Sequence, residues 1–324
     1  RLISSRWFFN LYLLSVNKVH LKMGSGLSRV EEVPDYAMEV QMKAEVPVED
    51  VIATAQAAGR AILQIYNSEA STWEVQMKSD ASPLTRADRE ANAVICQALQ
   101  NVSPHIPIIS EENKMLPHSM RQKFQYYWLV DPLDGTKEFL KRNGQFTVNI
   151  ALMSSNTPVL GVVDVPCQGK TYWAVKGKGA WLRTSDGQQR IQAAEFGFED
   201  KGLKVVASAS HLNKETEEFI QLFNSPEFVQ VGSSLKLLMI AEGQAHIYPR
   251  LAPTCEWDTA AADIIVREAG GAVLQAGKQD NKGNPLQDWK EELVKEVPVV
   301  YNKEDVLNPY FVVFGKRRGA TAAR

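Results

Sequence analysis

Residues 126–136 of this 324-residue chain read YYWLVDPLDGT. The apolar residues 126–130 predict a buried strand that ends at Asp131. The proline and the glycine that follow favour a tight turn, because proline restricts its own backbone and glycine accepts angles that other residues avoid. Such a turn brings the carboxylate of Asp134 back beside that of Asp131.

Two carboxylates and the Leu133 carbonyl oxygen converge at this turn. Hard oxygen ligands of this kind suit Mg²⁺, which keeps several waters and is often completed by a substrate phosphate. Gly135 and Thr136 add backbone N–H groups and a hydroxyl, where a phosphate oxygen or an attacking water fits. Taken alone, the pattern favours a structural turn over a metal site by about two to one. In such a turn, both aspartates only cap backbone groups.

Three further acidic elements stand at predicted ends of helices or strands, where loops build sites. They are Ser110-Glu111-Glu112-Asn113 after a strand, Asp88 at one helix start, and Trp257-Asp258-Thr259-Ala260 at another. The ordinary interpretation is a solvated pair for the glutamates and a helix cap worth about 1 kcal/mol for Asp258. Asp258 is less ordinary, because its surroundings are apolar and a buried carboxylate needs a counter-charge. A metal would supply that charge.

The composition excludes several classes of protein. Lys and Arg number 36 against 38 Asp and Glu, a formal charge of -2, so no overall positive field favours a nucleic acid polymer as partner. A hydrophobic content of 44% fits a folded globular protein. The three cysteines lack the spacing of a disulfide framework or a zinc knuckle, and the histidines lack ligand spacing. We expect a reducing compartment and a metal site built from carboxylates.

Residues 1–45 are interpreted as a leader or disordered segment. Its first 30 residues contain five Lys or Arg, several serines and no acidic residue, and an apolar run too short to span a membrane. We expect no integral membrane association and a cytoplasmic location. Three alternatives stay open: organelle targeting by the basic segment, an untranslated leader ahead of Met23, and a myristoylated start at residues 23–28.

Hydrophobic periodicity predicts two lobes. After two helices, residues up to 198 show short, closely spaced strands, typical of an antiparallel sheet. Beyond about Lys201, strands and helices alternate, typical of βαβ units. We therefore predict an N-terminal metal-binding lobe at 46–198, a C-terminal lobe at 199–318 and a tail at 319–324. The cleft between the lobes is the expected ligand site.

The chain resembles the inositol monophosphatase superfamily in three motifs, at residues 110–112, 131–136 and 257–261. The 3'(2'),5'-bisphosphate nucleotidase branch is the most similar, because Glu138 stands where inositol monophosphatases usually have Asn. Other stretches that resemble this branch are residues 146–152, 232–236, 241–245 and 248–250. The resemblance runs from about Val51 to Phe314. It implies an α/β (α+β) layered αβαβα sandwich with an antiparallel-sheet N-terminal lobe and a βαβ-type C-terminal lobe.

The resemblance also implies the roles of individual residues. It implies Mg²⁺ bound by Glu111, Asp131, the Leu133 carbonyl, Asp134 and Asp258. Asp88 and Thr136 are implied to orient or deprotonate the attacking water, with Glu111 as a further catalytic residue. The implied substrate contacts are Leu133, Asp134, Gly135, Thr136, Ser210, His211, Ser234, Lys236, Arg250 and Asp258.

Some of these contacts have alternatives, and the chain departs from the family in places. For Lys236 and Arg250, the alternative to a substrate contact is an ordinary solvated charge on the protein surface. Residues 208–211 read SASH where the family usually has SRSH, so a basic contact is missing at Ala209. Ala262 replaces a frequent glycine, and residues 287–300 resemble an insertion.

The implied activity is Mg²⁺-dependent hydrolysis of adenosine 3',5'-bisphosphate to AMP and phosphate by two-metal activation of water, with the sulfated precursor as a further substrate. A role in sulfur assimilation and inhibition by lithium and sodium follow from the same resemblance. The expected partner is a small nucleotide bisphosphate, and the expected state a monomer or homodimer. Two alternatives stay open: an inositol phosphate phosphatase, and an inactive phosphate-binding regulatory protein. The complete set of metal ligands argues against the second.

Overall fold

The computed structural model describes residues 46–79, 82–208, 213–276 and 296–319. From Val48 onward, the described residues belong to one compact unit. The helices are α1 (Val48–Tyr66), α2 (Arg86–Val102), α3 (His118–Arg121), α4 (Thr136–Leu140), α5 (Lys214–Ile220), α6 (Leu235–Ala241) and α7 (Glu256–Glu268). Within the described residues, none of these helices is long and apolar enough to cross a membrane.

The strands up to the predicted lobe boundary are β1 (Gln76–Met77), β2 (Pro83–Leu84), β3 (Ile108–Ser110), β4 (Tyr126–Asp134), β5 (Thr147–Ser154), β6 (Thr157–Val165), β7 (Lys170–Val175), β8 (Ala180–Thr184), β9 (Gly187–Ile191) and β10 (Glu195–Phe196). Those beyond it are β11 (Lys204–Ser208), β12 (Glu227–Val231), β13 (Ile247–Arg250), β14 (Ala272–Gln275), β15 (Phe311–Phe314) and β16 (Lys316–Arg317).

A seven-stranded sheet has the order β3-β4-β5-β6-β7-β8-β9. Its strands pair antiparallel except β3 and β4, which run parallel, so the predicted antiparallel sheet is largely confirmed. The sequence prediction missed β9, whose first four residues are exposed and polar or glycine. Such an edge strand lacks the alternation of apolar and polar residues that marks a half-buried strand.

Helices α1 and α2 pack on one face of this sheet. The predicted apolar stripe of α1, from Val51 to Ile65, is buried. Helix α2 begins at Arg86 because Thr85 caps it: the Thr85 hydroxyl accepts the Ala87 N–H, and the Asp88 carboxylate accepts the Thr85 N–H. The capping arrangement places Asp88 in the first turn of α2, as predicted.

Helix α7 packs on the opposite face of the sheet, against β4 to β8. Gly161 of β6 allows the close approach, because a Cβ atom there would lie 2.2 Å from the Ala261 carbonyl oxygen. Helix α6 lies beside α7, and both fill the space between this sheet and the second one. The seven-stranded sheet therefore holds α7 at a fixed depth.

The second sheet has five strands in the order β12-β11-β13-β15-β14. Strand β11 runs parallel to β12 and β13, as expected for βαβ units, whereas β15 is antiparallel to β13 and β14. Val313 faces the core with α7, while Val312 and Phe314 face a second core that contains Phe219 of α5. The layers are therefore α1/α2, sheet, α6/α7, sheet and α5, the αβαβα sandwich that the resemblance implied.

Helix α5 lies earlier in the chain than the sequence predicts. The pattern beyond Lys201 predicts a helix through Phe219–Phe223. The helix covers Lys214–Ile220 instead, because the Asn213 side chain accepts the Thr216 N–H and caps an earlier start. Strand β10 at the predicted lobe boundary pairs with β16 near the C-terminal end of the described chain. A division into lobes at 198/199 remains a prediction.

Candidate metal centre and active site

The acidic turn lies where β4 ends. The pairing of β4 with β5 is irregular between Asp131 and Asp134. This irregularity interrupts the regular alternation of side chains between the two faces of the sheet. Gly135 follows with a φ of +97°, and a Cβ atom there would lie 2.9 Å from the Gln145 carbonyl oxygen, so glycine is required. The Leu133 N–H donates to Asp131 Oδ1 at 3.1 Å and fixes this carboxylate.

Three carboxylates converge at this place. One oxygen each of Asp131, Asp134 and Asp258 lies within 4.8 Å of the others. Asp258 lies in the first turn of α7, and its carboxylate also accepts the Cys255 N–H at 2.9 Å. Glu111 lines the same cleft as Asp131, because parallel β3 and β4 pair Ser110 with Val130 and so place the residues after them side by side. The structure thus brings the four predicted metal-ligating side chains together.

The electrostatics of this cluster call for a cation. Burial raises the pKa of Asp131 well above its ordinary value, and the negative charges of Glu111, Asp134 and Asp258 raise it further. Burial also raises the pKa of Asp258 to about 8, with Asp134 and Glu111 adding to the rise, and burial raises the pKa of Glu111. Carboxyl groups that are buried close together resist ionisation unless a cation neutralises their charge. The donor set consists of oxygen atoms, so it fits a hard divalent metal.

Two serines support Asp134 from behind. Its Oδ2 accepts the Ser233 hydroxyl at 2.7 Å and the Ser234 N–H at 2.6 Å. The Ser234 hydroxyl lies 2.6 Å from the same oxygen and 2.9 Å from the Asp258 carbonyl oxygen. Asn149 in β5 donates to this hydroxyl at 2.9 Å. Ser234, predicted as a substrate contact, is therefore buried and directed at two metal-site residues.

Lys78 is a member of the site that the sequence prediction missed. Its Nζ lies 2.7 Å from both Glu111 Oε1 and Glu112 Oε1. Burial alone would lower the pKa of Lys78, but the two glutamates outweigh it and raise the pKa above its ordinary value. Lys78 thus partly neutralises the acidic cluster. Nothing local in the sequence indicated this, because Lys78 lies 33 residues before Glu111.

Asp88 and Thr136 are joined directly. The Thr136 hydroxyl donates to Asp88 Oδ1 at 3.1 Å. The other oxygen of Asp88 accepts the Thr85 N–H at 2.7 Å and the Thr85 hydroxyl at 2.5 Å. Burial raises the pKa of Asp88, which is 2% exposed. With its proton directed at Asp88, the Thr136 oxygen keeps its lone pairs for a further donor such as a water.

The cluster opens into a cleft of about 370 Å³, a size in the range of small-molecule sites. Lys236 and Arg250 also line this cleft. Lys236 is 4% exposed, donates to the Ser233 carbonyl oxygen at 2.6 Å and lies 5.4 Å from the centre of the Tyr248 ring. Burial lowers the pKa of Lys236 to about 8. The solvated surface charge weighed from the sequence is therefore wrong for Lys236.

Arg250 is another basic residue of the cleft, which Lys137 also lines. One terminal nitrogen donates to the Pro253 carbonyl oxygen at 2.9 Å. Its Nε is buried and has no hydrogen-bond partner among the described residues. A buried donor without a partner is costly, so an anionic ligand is a natural acceptor for it.

The remaining predictions have different outcomes. Ser210, His211 and Ala209 lie outside the described residues, as do residues 287–295 of the predicted insertion. Ala262 is buried in α7, with the predicted metal ligand Asp258 one turn earlier. The leader segment also lies outside the described residues.

The fold and the cluster define an αβαβα protein with a group of carboxylates that could hold a metal ion. Residues 45–309 match the inositol monophosphatase family, and the chain belongs to that family. It is 42% identical to the 3'(2'),5'-bisphosphate nucleotidase CysQ of Salmonella typhimurium over 82% of this chain and 98% of that protein. The CysQ of Escherichia coli O157:H7 is 41% identical with the same coverage.

A solved structure agrees with this assignment. The crystal structure of CysQ from Bacteroides thetaiotaomicron, described as a bacterial member of the inositol monophosphatase family, superposes with a TM-score of 0.69 at 40% identity. The match covers 87% of this chain and 100% of that one. The family and the fold implied by the sequence are confirmed.

Proposed function

We propose that this protein is a Mg²⁺-dependent 3'(2'),5'-bisphosphate nucleotidase that hydrolyses adenosine 3',5'-bisphosphate to AMP and phosphate. The observation that carries the proposal is a single cleft lined by the carboxylate cluster and by Lys236 and Arg250. A substrate with two phosphates needs two places that attract negative charge. These would be the carboxylate cluster once it holds metal, and the basic side chains of Lys236 and Arg250. The names of the Salmonella and Escherichia relatives support the same activity.

Glu111, Asp131, the Leu133 carbonyl, Asp134 and Asp258 would hold Mg²⁺ in this proposal. Bound at this place, two such ions would neutralise phosphate oxygens, acidify a water molecule and stabilise the leaving oxygen. The all-oxygen donor set and the mutual repulsion of the carboxylates support this choice of metal.

Thr136 and Asp88 would together take up the proton of the attacking water. The water donates to the Thr136 oxygen, the Thr136 proton passes to Asp88 Oδ1, and the water oxygen bonds to phosphorus. The bond from phosphorus to the ribose oxygen breaks, and that oxygen takes up a proton from solvent. Lys236 and Arg250 would meanwhile hold the second phosphate and so keep the first in position.

Phosphate release from adenosine 3',5'-bisphosphate, measured with purified protein and Mg²⁺, tests the proposal. We expect one phosphate and one AMP per turnover, and no release in EDTA. Asp134→Asn should abolish release, while Asp186→Asn, an exposed aspartate in the β8–β9 turn, should not. A wild-type protein that releases no phosphate from this nucleotide would overturn the proposal.

An inositol phosphate phosphatase is the second candidate, because the same carboxylate cluster would serve both substrates. The ratio of kcat/KM for adenosine 3',5'-bisphosphate to that for inositol 1-phosphate separates the two. The buried Lys236 and the partnerless Nε of Arg250 favour the nucleotide, which has a second phosphate for them. An inactive phosphate-binding protein would bind both compounds and hydrolyse neither.

A further inference from the structure

Leu307 is a large apolar side chain that is exposed at the rim of the cleft. It is 45% exposed and lines the same cleft as the carboxylate cluster. It belongs to residues 305–308, here called the rim segment, which lie beside the chain that leads into α7. An exposed leucine is ordinary on a protein surface, so its surroundings decide whether it has a function.

The rim segment is held in place on both sides of Leu307. The Leu307 N–H donates to Asp305 Oδ1 at 2.9 Å, and Leu307 forms an antiparallel bridge with Cys255. The Asn308 N–H donates to the Thr254 carbonyl oxygen at 2.8 Å, and its side chain donates to the Cys255 carbonyl oxygen at 2.8 Å. The backbone of Leu307 is therefore fixed while its side chain faces open space, a preorganised contact.

The rim adjoins the basic part of the cleft. Pro253, which accepts a hydrogen bond from Arg250, lies two residues before Cys255, the bridge partner of Leu307. Leu237 and Phe311 add further apolar lining. A ligand that places one phosphate at the carboxylates and another at Arg250 would have its remaining part near these apolar side chains.

We propose that Leu307 is the side chain against which the nucleobase of the substrate packs, and that it selects nucleoside bisphosphates over inositol phosphates. This inference rests on the proposed function and adds a specificity-determining residue to it. A purine has a flat face that gains by burial against leucine, whereas inositol carries a hydroxyl on each ring carbon that does not bear phosphate. Burial of the exposed part of one leucine corresponds to about a three- to tenfold difference in affinity.

The test compares adenosine 3',5'-bisphosphate with ribose 3,5-bisphosphate, which has both phosphates but no base. We expect Leu307→Ser to raise the KM for the nucleotide about three- to tenfold, with kcat and the KM for the baseless compound unchanged. Leu307→Met should remain close to wild type. Leu222→Ser is the matched control, because Leu222 is 41% exposed and lies outside the cleft lining.

Equal changes in KM for both compounds, or no change for either, would overturn the inference while leaving the nucleotidase proposal in place. A wild-type protein that releases phosphate from neither compound would overturn the proposed function, and the inference with it. Melting temperatures of all variants show whether each is folded. Because Leu307 is exposed, we expect Leu307→Ser to melt within about 2 °C of wild type.

Discussion

The hydroxyl of Thr136 donates to the carboxylate of Asp88 across 3.1 Å, although 48 residues separate them in the chain. The first turn of α2 and the first residue of α4 meet there because both flank the end of β4. Thr85 occupies the second oxygen of Asp88, so Oδ1 is kept for Thr136. In the proposed mechanism, the pair would form a short proton path at the edge of the carboxylate cluster.

Removal of the Thr136 hydroxyl tests this path. Thr136→Val keeps the shape of the side chain but cannot pass a proton, so we expect kcat to fall about 10²- to 10⁴-fold with KM nearly unchanged. Thr136→Ser should recover most of the rate. Steady-state phosphate release measures both, and a valine variant with the wild-type kcat would contradict a role for the pair.

Asp134→Asn tests the metal centre without an activity assay. The amide keeps the size of the side chain but removes one negative charge, so we expect the Mg²⁺ affinity to fall at least about tenfold. Titration calorimetry with Mg²⁺ measures this directly. Asp186→Asn should bind Mg²⁺ as the wild type does, and an unchanged affinity in Asp134→Asn would rule out this residue as a ligand.

Lys78→Met tests the resident counter-charge of Glu111 and Glu112. Loss of the ammonium leaves these carboxylates unpaired, so we expect a lower melting temperature in EDTA. The more negative site should bind Mg²⁺ about two- to tenfold more tightly. Lys214→Met serves as the control, because Lys214 is exposed and, among the described residues, pairs with Glu218 alone. Weaker Mg²⁺ binding in Lys78→Met would show that Lys78 supports the metal site instead of competing with it.

Asp164 provides a pH test of stability away from the cleft. It is 6% exposed in β6 beneath α1, and burial raises its pKa from 3.8 to about 6. The ionised carboxylate therefore costs stability above about pH 6, and this cost disappears as the pH falls toward 4. Asp164→Asn should unfold with a free energy up to about 3 kcal/mol higher than wild type at pH 8.

Urea denaturation at pH 8, 6 and 4 measures the difference between these two proteins. The gain from Asp164→Asn should shrink as the pH falls, because the wild-type carboxyl becomes protonated. The asparagine can still accept the Thr171 hydroxyl, which donates to Asp164 Oδ1 at 2.7 Å. A difference that is the same at all three values would mean that the carboxylate is not held in an unfavourable charged form.

The sequence prediction worked best where local chemistry decides the structure. The strand before Asp131, the capped start of α2 and the apolar stripe of α1 each depend on residues within one or two turns of each other. The prediction missed β15, which is an internal strand of the second sheet. Its four residues are buried on both faces, and a short apolar run of this kind does not show a period.

In the candidate site too, the sequence identified some residues and missed others. The acidic residues could be named from the sequence because their types and positions at strand and helix ends suggest metal chemistry. The supports of the site could not: Lys78 at Glu111, and Ser233 and Asn149 behind Asp134, act across long separations in the chain. A side chain's partner across the fold depends on the packing of whole elements, which no local pattern contains.

By itself, then, the sequence determined most elements of the sandwich, the acidic turn after β4 and the family to which the chain belongs. Only the tertiary structure decided that Asp131, Asp134 and Asp258 share one place, that Lys236 is a buried cation and that Leu307 stands at the rim. The physical reason is that charge repulsion, burial and hydrogen bonding act through space. The distances that set their strength exist only after α7 has packed between the two sheets.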